Sequence, residues 1–118
     1  MKKPLSTLWP FGRRSAEGKA PALAWLVHES PGTVGEHAFA IRSSLCRIGR
    51  AADNDVCLDD DTVSAHHAEI RQRKDGFFAI EDLNSTNGVT VNSKKVKSRI
   101  LRPGDLIEIG EIRLRLNH

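Results

Sequence analysis

Arg50, Ser64 and Thr86 are the residues of this chain best suited to hold an anion, and they fall on three separate stretches, IGR at 48–50, VSAHH at 63–67 and NSTNG at 84–88. An arginine at the end of a strand presents a planar fork of donors that matches the oxygens of a phosphate. Serine and threonine hydroxyls on neighbouring loops add further donors to the same group. The ligand that suits such a set is a phosphorylated hydroxyl amino acid, with three acceptor oxygens and close to two negative charges. Each residue also has a plainer reading. Arg50 could be a solvated surface arginine, Ser64 a turn hydroxyl bonded to its own backbone, and Asn87-Gly88 the centre of a tight hairpin. A hairpin needs only Asn87 and Gly88, which leaves Ser85 and Thr86 to be explained by a ligand.

Other chemistries find little to stand on. Ser64 and His67 invite a nucleophile and base, yet no GxSxG elbow accompanies them and a three-residue separation does not make a triad. Neither GxxxxGK[ST] nor GxGxxG occurs, so a nucleotide has no cradle. His28, His37, His66, His67 and His118 do not fall at zinc spacings with thiols or carboxylates. Asp59-Asp60-Asp61 lacks the alternation of a calcium loop and reads as solvated. The expectation is a protein without metal, cofactor or catalytic activity.

The elements that must position these loops are short. Apolar alternations run over 23–28, 37–42, 45–49, 56–58, 67–72, 77–82, 90–91, 106–109 and 112–116, punctuated by Pro31-Gly32, Asp75-Gly76, Asn87-Gly88, Pro103-Gly104 and Gly110. No segment keeps a helical apolar period. Many short strands at regular spacing predict an all-β, antiparallel sandwich. In Ile112-Arg-Leu-Arg-Leu116 the three apolar residues should face the core and Arg113 and Arg115 the water.

The chain has 118 residues and a net charge of +3, which allows one domain. Lys2, Lys3, Arg13, Arg14 and Lys19 against Glu17 give residues 1–20 a charge of +4, leaving −1 for the remainder. The basic balance therefore belongs to a tail, residues 1–21 of a flexible composition, ahead of a domain over 22–118, and whole-surface nucleic-acid binding is disfavoured. Cys46 and Cys57 sit in apolar runs and read as two buried free thiols suited to a reducing compartment. Neither a signal-peptide core nor a run of about 20 apolar residues is present, which predicts a cytoplasmic protein without membrane attachment.

Gly49-Arg50, then Ser64-Ala65-His66-His67, then Ser85-Thr86-Asn87-Gly88 with Val91-Asn92, taken in this order, resemble the forkhead-associated (FHA) domain, a phosphothreonine-binding module, over roughly residues 23–118. The resemblance implies a sandwich of about eleven strands whose loops at one end bind a threonine-phosphorylated protein marked by an upstream Ser/Thr kinase. It implies Arg50 as the main phosphate ligand, Ser64 and Thr86 as further phosphate contacts, and Asn87 as a clamp on the peptide backbone. Gly49, His67, Gly88 and Asn92 become structural, His67 bracing its loop and Asn92 fixing loop geometry. Related domains often carry an arginine after the motif serine, where this chain has Ala65, so one cation near the ligand is missing. Thr62, at a position that in related domains reads the third residue after the phosphothreonine, has no charge with which to favour an acid. The alternatives are a phosphate-independent interaction domain of the same fold and a tail that binds nucleic acid. Thr7, the only threonine of the basic segment, could if phosphorylated bind the same domain or its neighbour.

Overall fold

The structure is a computed structural model and describes residues 21–29 and 37–118; the basic tail with Thr7 lies outside the described residues. Eleven strands follow in order: β1 (Ala24–His28), β2 (Ala38–Ile41), β3 (Leu45–Gly49), β4 (Val56–Cys57), β5 (Ala68–Gln72), β6 (Phe78–Asp82), β7 (Val89–Val91), β8 (Lys94–Val96), β9 (Ser98–Leu101), β10 (Leu106–Ile109) and β11 (Ile112–Asn117). They form a five-stranded sheet in the order β9-β6-β5-β3-β4 and a six-stranded sheet in the order β2-β1-β11-β10-β7-β8. Leu26, Ile41, Ile48, Ile70, Phe78, Ile80, Ile107, Ile109, Leu114 and Leu116 are buried between the sheets, each such side chain contributing about 1.5–3 kcal/mol by leaving water.

Nine strands coincide with the alternations in the sequence, and β8 and β9 do not. Both are edge strands: β8 buries no residue fully and β9 only Leu101, so neither needs an apolar pattern. Pairing is antiparallel except between β3 and β4, where Ile48 faces Val56 and Gly49 faces Cys57 in parallel register. A parallel partner usually needs a crossover of about a dozen residues. Here β4 is two residues long, so the loop 50–55 has only that length of strand to travel back.

One plainer reading falls and one expectation changes. Asn87-Gly88 is not a two-residue hairpin, because it lies on the loop from β6 to β7, which belong to different sheets. Two-residue hairpins occur instead at Gly110-Glu111, between β10 and β11, and at Asn92-Ser93, between β7 and β8, the latter with φ of 50° and 71°, the positive pair that matches the twist of flanking strands. In β11, Leu114 and Leu116 are buried but Ile112 only half so, and the arginines are not simply solvated. Arg115 Nε donates to Glu29 Oε2 at 2.9 Å and holds its carboxyl below the usual range, while Arg113 Nε lies 3.9 Å from Glu108 Oε2.

The cysteines also divide. Cys46 is buried and its thiol is pushed up to about 12, by desolvation first and the nearby Asp55 charge second, whereas Cys57 is exposed, against the expectation of two buried thiols. Cys57 ends the edge strand β4, where nothing in the sheet covers it. A thiol-alkylating reagent near neutral pH should therefore label Cys57 alone in the folded protein and both thiols after denaturation. Mass spectrometry reads the outcome, and labelling of Cys46 at the same rate would contradict this burial.

Candidate functional site

Four connections meet at one end of the sandwich: loop 50–55 after β3, loop 58–67 before β5, loop 83–88 after β6 and the turn Gly110-Glu111 between β10 and β11. The first two are zipped along their backbones, Arg50 N donating to Ser64 O at 2.9 Å and Ala51 N to Ala65 O at 3.1 Å. Asn54, buried at 9% exposure, reinforces the zip by donating both amide hydrogens, to Ala51 O and Ala65 O, each at 2.8 Å. A Cβ on Gly49 would fall 2.2 Å from Ala65 O, so only glycine lets these loops approach. Arg50 is thereby held by its main chain while its side chain stays exposed and meets no carboxylate among the described residues.

His67 is fully buried and joins the second loop to the third. Ser64 N donates to its Nδ1 at 3.0 Å, and its Nε2 donates to Gly88 O at 2.7 Å. These partners assign the hydrogen to Nε2 and leave His67 no free nitrogen with which to serve Ser64 as a base. The Ser64 Oγ instead accepts from Thr86 N at 3.0 Å, which leaves its own hydrogen to donate outward. Ser85, which a ligand seemed to require, is spent inside the loop: its Oγ donates to Asp82 Oδ1 and accepts from Gly88 N at 2.9 Å.

Thr62 ties the second loop to the other two connections. Its Oγ1 donates to Asp60 Oδ1 and accepts from Glu111 N at 2.8 Å, and its carbonyl accepts from Asn87 Nδ2 at 2.8 Å. The Thr62 hydroxyl first, and its backbone N–H donating to the same Oδ1 at 2.8 Å second, hold the Asp60 carboxyl below its ordinary range. Gly110 permits the contact, since a Cβ there would stand 2.4 Å from Thr62 O and its φ is 59°. With its hydroxyl committed twice over, Thr62 serves the scaffold in this geometry.

Arg50, Asp61, Thr62, Val63, Ser64, Thr86 and Asn87 line a pocket of about 120 Å³. Arg50, Ser64, Thr86 and Asn87, selected from the sequence, are thus brought together. Ala65 and His66 stand exposed beside them, His66 Nε2 lying 3.1 Å from Asp53 Oδ1. Asn92 is elsewhere, at the far end of β7, where its Nδ2 donates to Asp105 Oδ1 and its Oδ1 accepts from Leu106 N, both at 2.9 Å. Sequence reasoning missed Asn54, Asp60 and Asp82 as braces. For Asn54 and Asp60 the signals were the Asx-rich runs 53–55 and 59–61, which read equally well as solvated loops, and Asp82 lies in neither run. Chemically the pocket offers one unpaired guanidinium and two hydroxyls to a small anion, and His67, with both ring nitrogens engaged, is not a base for Ser64.

The profile of the FHA domain family matches residues 46–110, more than half of the chain. The chain belongs to the FHA family. This FHA chain is 39% identical over 98 residues to the glycogen accumulation regulator GarA of Mycobacterium tuberculosis, across 83% of the chain and 59% of that relative, so it spans under two thirds of GarA's length. Its fold matches Mycobacterium tuberculosis EmbR, solved with a low-affinity phosphopeptide, with TM-score 0.69 and 30% identity over 80% of this chain and 24% of that one. It also matches the FHA domain of FhaA in complex with the intracellular domain of Rv3910, with TM-score 0.71 and 32% identity over 80% of this chain and 99% of that domain. Among the described residues no helix is long and apolar enough to cross a membrane.

Proposed function

We propose that this FHA domain binds threonine-phosphorylated proteins and acts as a non-catalytic, cytoplasmic adaptor downstream of a Ser/Thr kinase. The observation that carries the reading is the Arg50 guanidinium, exposed and unmatched by any carboxylate among the described residues, at a pocket shared with the Ser64 and Thr86 hydroxyls. A phosphate placed there accepts from the arginine fork, from the Ser64 hydroxyl hydrogen and from Thr86. Asn87 has given one of its two amide hydrogens to Thr62 O, so its clamp on the peptide uses the other hydrogen and Oδ1, which donate to a backbone carbonyl and accept from a backbone amide. EmbR's phosphopeptide supports the ligand class.

Ala65 adds no cation, so affinity rests on Arg50 and the hydroxyls. Titration of one peptide in phosphothreonine and unmodified forms, by calorimetry, tests the proposal. The phosphorylated form should bind at least about tenfold tighter, equivalent to about 1.4 kcal/mol. Equal binding of the two forms would refute it and favour the phosphate-independent interaction domain.

A further inference from the structure

Strands β8 and β9 run in succession along the sandwich edge where both sheets end, and they and their flanks carry Lys94, Lys95, Lys97, Arg99 and Arg102, all exposed, with no acid between residues 93 and 102. The described residues outside this ribbon hold eight lysines and arginines against thirteen carboxylates, so the ribbon is the positive side of an otherwise negative domain. Three arginines elsewhere have local partners: Arg71 with Glu69, Arg73 with Asp75, Arg115 with Glu29. Among the described residues Lys94, Lys95, Lys97 and Arg99 pair with no carboxylate, and Arg102 lies 5.8 Å over the Phe77 ring. Four unmatched cations on one edge favour an anionic partner.

Two of them are tied to the phosphate-binding end. Thr90 faces Lys95 across the β7–β8 ladder, and the Lys95 side chain lies across Gly88, where an added Cβ would come within 2.4 Å of its Cε and 3.2 Å of its Nζ. Its ammonium is therefore held against the base of the loop whose tip carries Thr86 and Asn87. Lys95 and Lys97 line a cavity of about 340 Å³ with Asp82, Ser85, Gly88 and Val96, so it takes in Ser85 and Gly88 of the loop whose Thr86 and Asn87 line the Arg50 pocket. The Asp82 carboxylate there accepts from Ser85 N and Oγ, so part of its charge is used within the loop. Glu81 lines the adjoining cavity with Lys97 without pairing to it.

We propose that Lys95 and Lys97 form a second anion subsite, which takes a phosphate or a carboxylate lying within a few residues of the phosphothreonine on the same bound peptide. The proposal rests on the reading of Arg50, Ser64 and Thr86 as the phosphothreonine pocket. It makes the domain prefer doubly phosphorylated or acid-flanked sequences, a preference that uncharged Thr62 does not supply. A concave place one loop away from the pocket favours a continuous peptide over a nucleic-acid duplex, which would follow the ribbon as a whole.

The test uses the full chain and one phosphothreonine peptide with uncharged flanks. In two series, phosphoserine or glutamate is placed at each position within four residues of the phosphothreonine, on either side. Wild type should bind the parent peptide, and one side of the scan should tighten binding about fivefold or more, with the gain shrinking at about 0.5 M salt as screening shortens. Phosphoserine alone giving the gain identifies a phosphate subsite, and glutamate sharing it identifies a general anion subsite; both support the proposal. Lys95→Glu with Lys97→Glu should erase the gain and leave the parent peptide's affinity within about twofold; the milder Lys95→Gln with Lys97→Gln, checked by melting, guards against a folding defect. A flat scan with the parent peptide still bound overturns the subsite alone. A gain that survives both double variants does the same, as does a ribbon whose reversal changes only duplex DNA binding. Failure of the parent peptide to bind removes the phosphothreonine pocket and the subsite with it.

Discussion

Arg50→Ala is expected to weaken phosphothreonine-peptide binding by about 30-fold or more while leaving the melting temperature within about 2 °C of the unmodified chain. The binding loss follows from charge-assisted hydrogen bonds to phosphate, worth about 2 kcal/mol in sum once solvent competition is counted. Stability should survive because the fold uses only the main chain of this residue: its amide donates to Ser64 O at 2.9 Å and its carbonyl accepts from Cys57 Sγ at 3.3 Å, both of which alanine keeps. Arg50→Lys should fall between the two, since it keeps the charge and loses the planar fork. Calorimetry with one phosphopeptide against the three chains measures the series. An alanine variant that binds as tightly as the parent would place the phosphate elsewhere, and a variant that melts early would mean the guanidinium had a structural task.

The residues gathered at the pocket were legible in the sequence because unusual residue types stand together on short loops: an arginine behind Gly49, and a Ser-Thr pair that the turn at Asn87-Gly88 does not need. The assignment of Ser85 to a ligand went astray for a related reason. Its hydroxyl is wanted by Asp82 and by Gly88 N, and a local hydroxyl bridge and an anion contact call for the same side chain. Thr62 shows the other limit. Its bonds reach Glu111 and Asn87, 49 and 25 positions away, and no local pattern reports a contact of that span. Edge strands were missed where they bury little: Lys94–Val96 and Ser98–Leu101 look like a charge run because, at the margin of two sheets, they are largely solvated. The parallel β3–β4 pair was hidden by the brevity of β4, and Cys57 was misplaced with it, since two residues do not reveal which of them faces out.

His67 is the residue whose loss should cost the fold most. His67→Ala is expected to lower stability by about 3 kcal/mol, a fall of about 10–20 °C in melting temperature for a domain of this size. Two costs add. The side chain is fully buried, so its removal leaves a cavity, and both of its partners, Ser64 N and Gly88 O, lose the only acceptor and donor that the structure offers them there. Because those partners belong to loops 58–67 and 83–88, the same change should loosen the relation between Ser64 and Thr86 and weaken phosphopeptide binding as well. Ser64→Ala removes a hydroxyl that accepts one exposed bond, from Thr86 N at 3.0 Å, and should weaken binding with a loss of no more than about 1 kcal/mol in stability. The paired comparison separates bracing from ligand contact. An unchanged midpoint for His67→Ala would remove the brace between the loops, and a Ser64→Ala chain as unstable as His67→Ala would make the serine a structural residue.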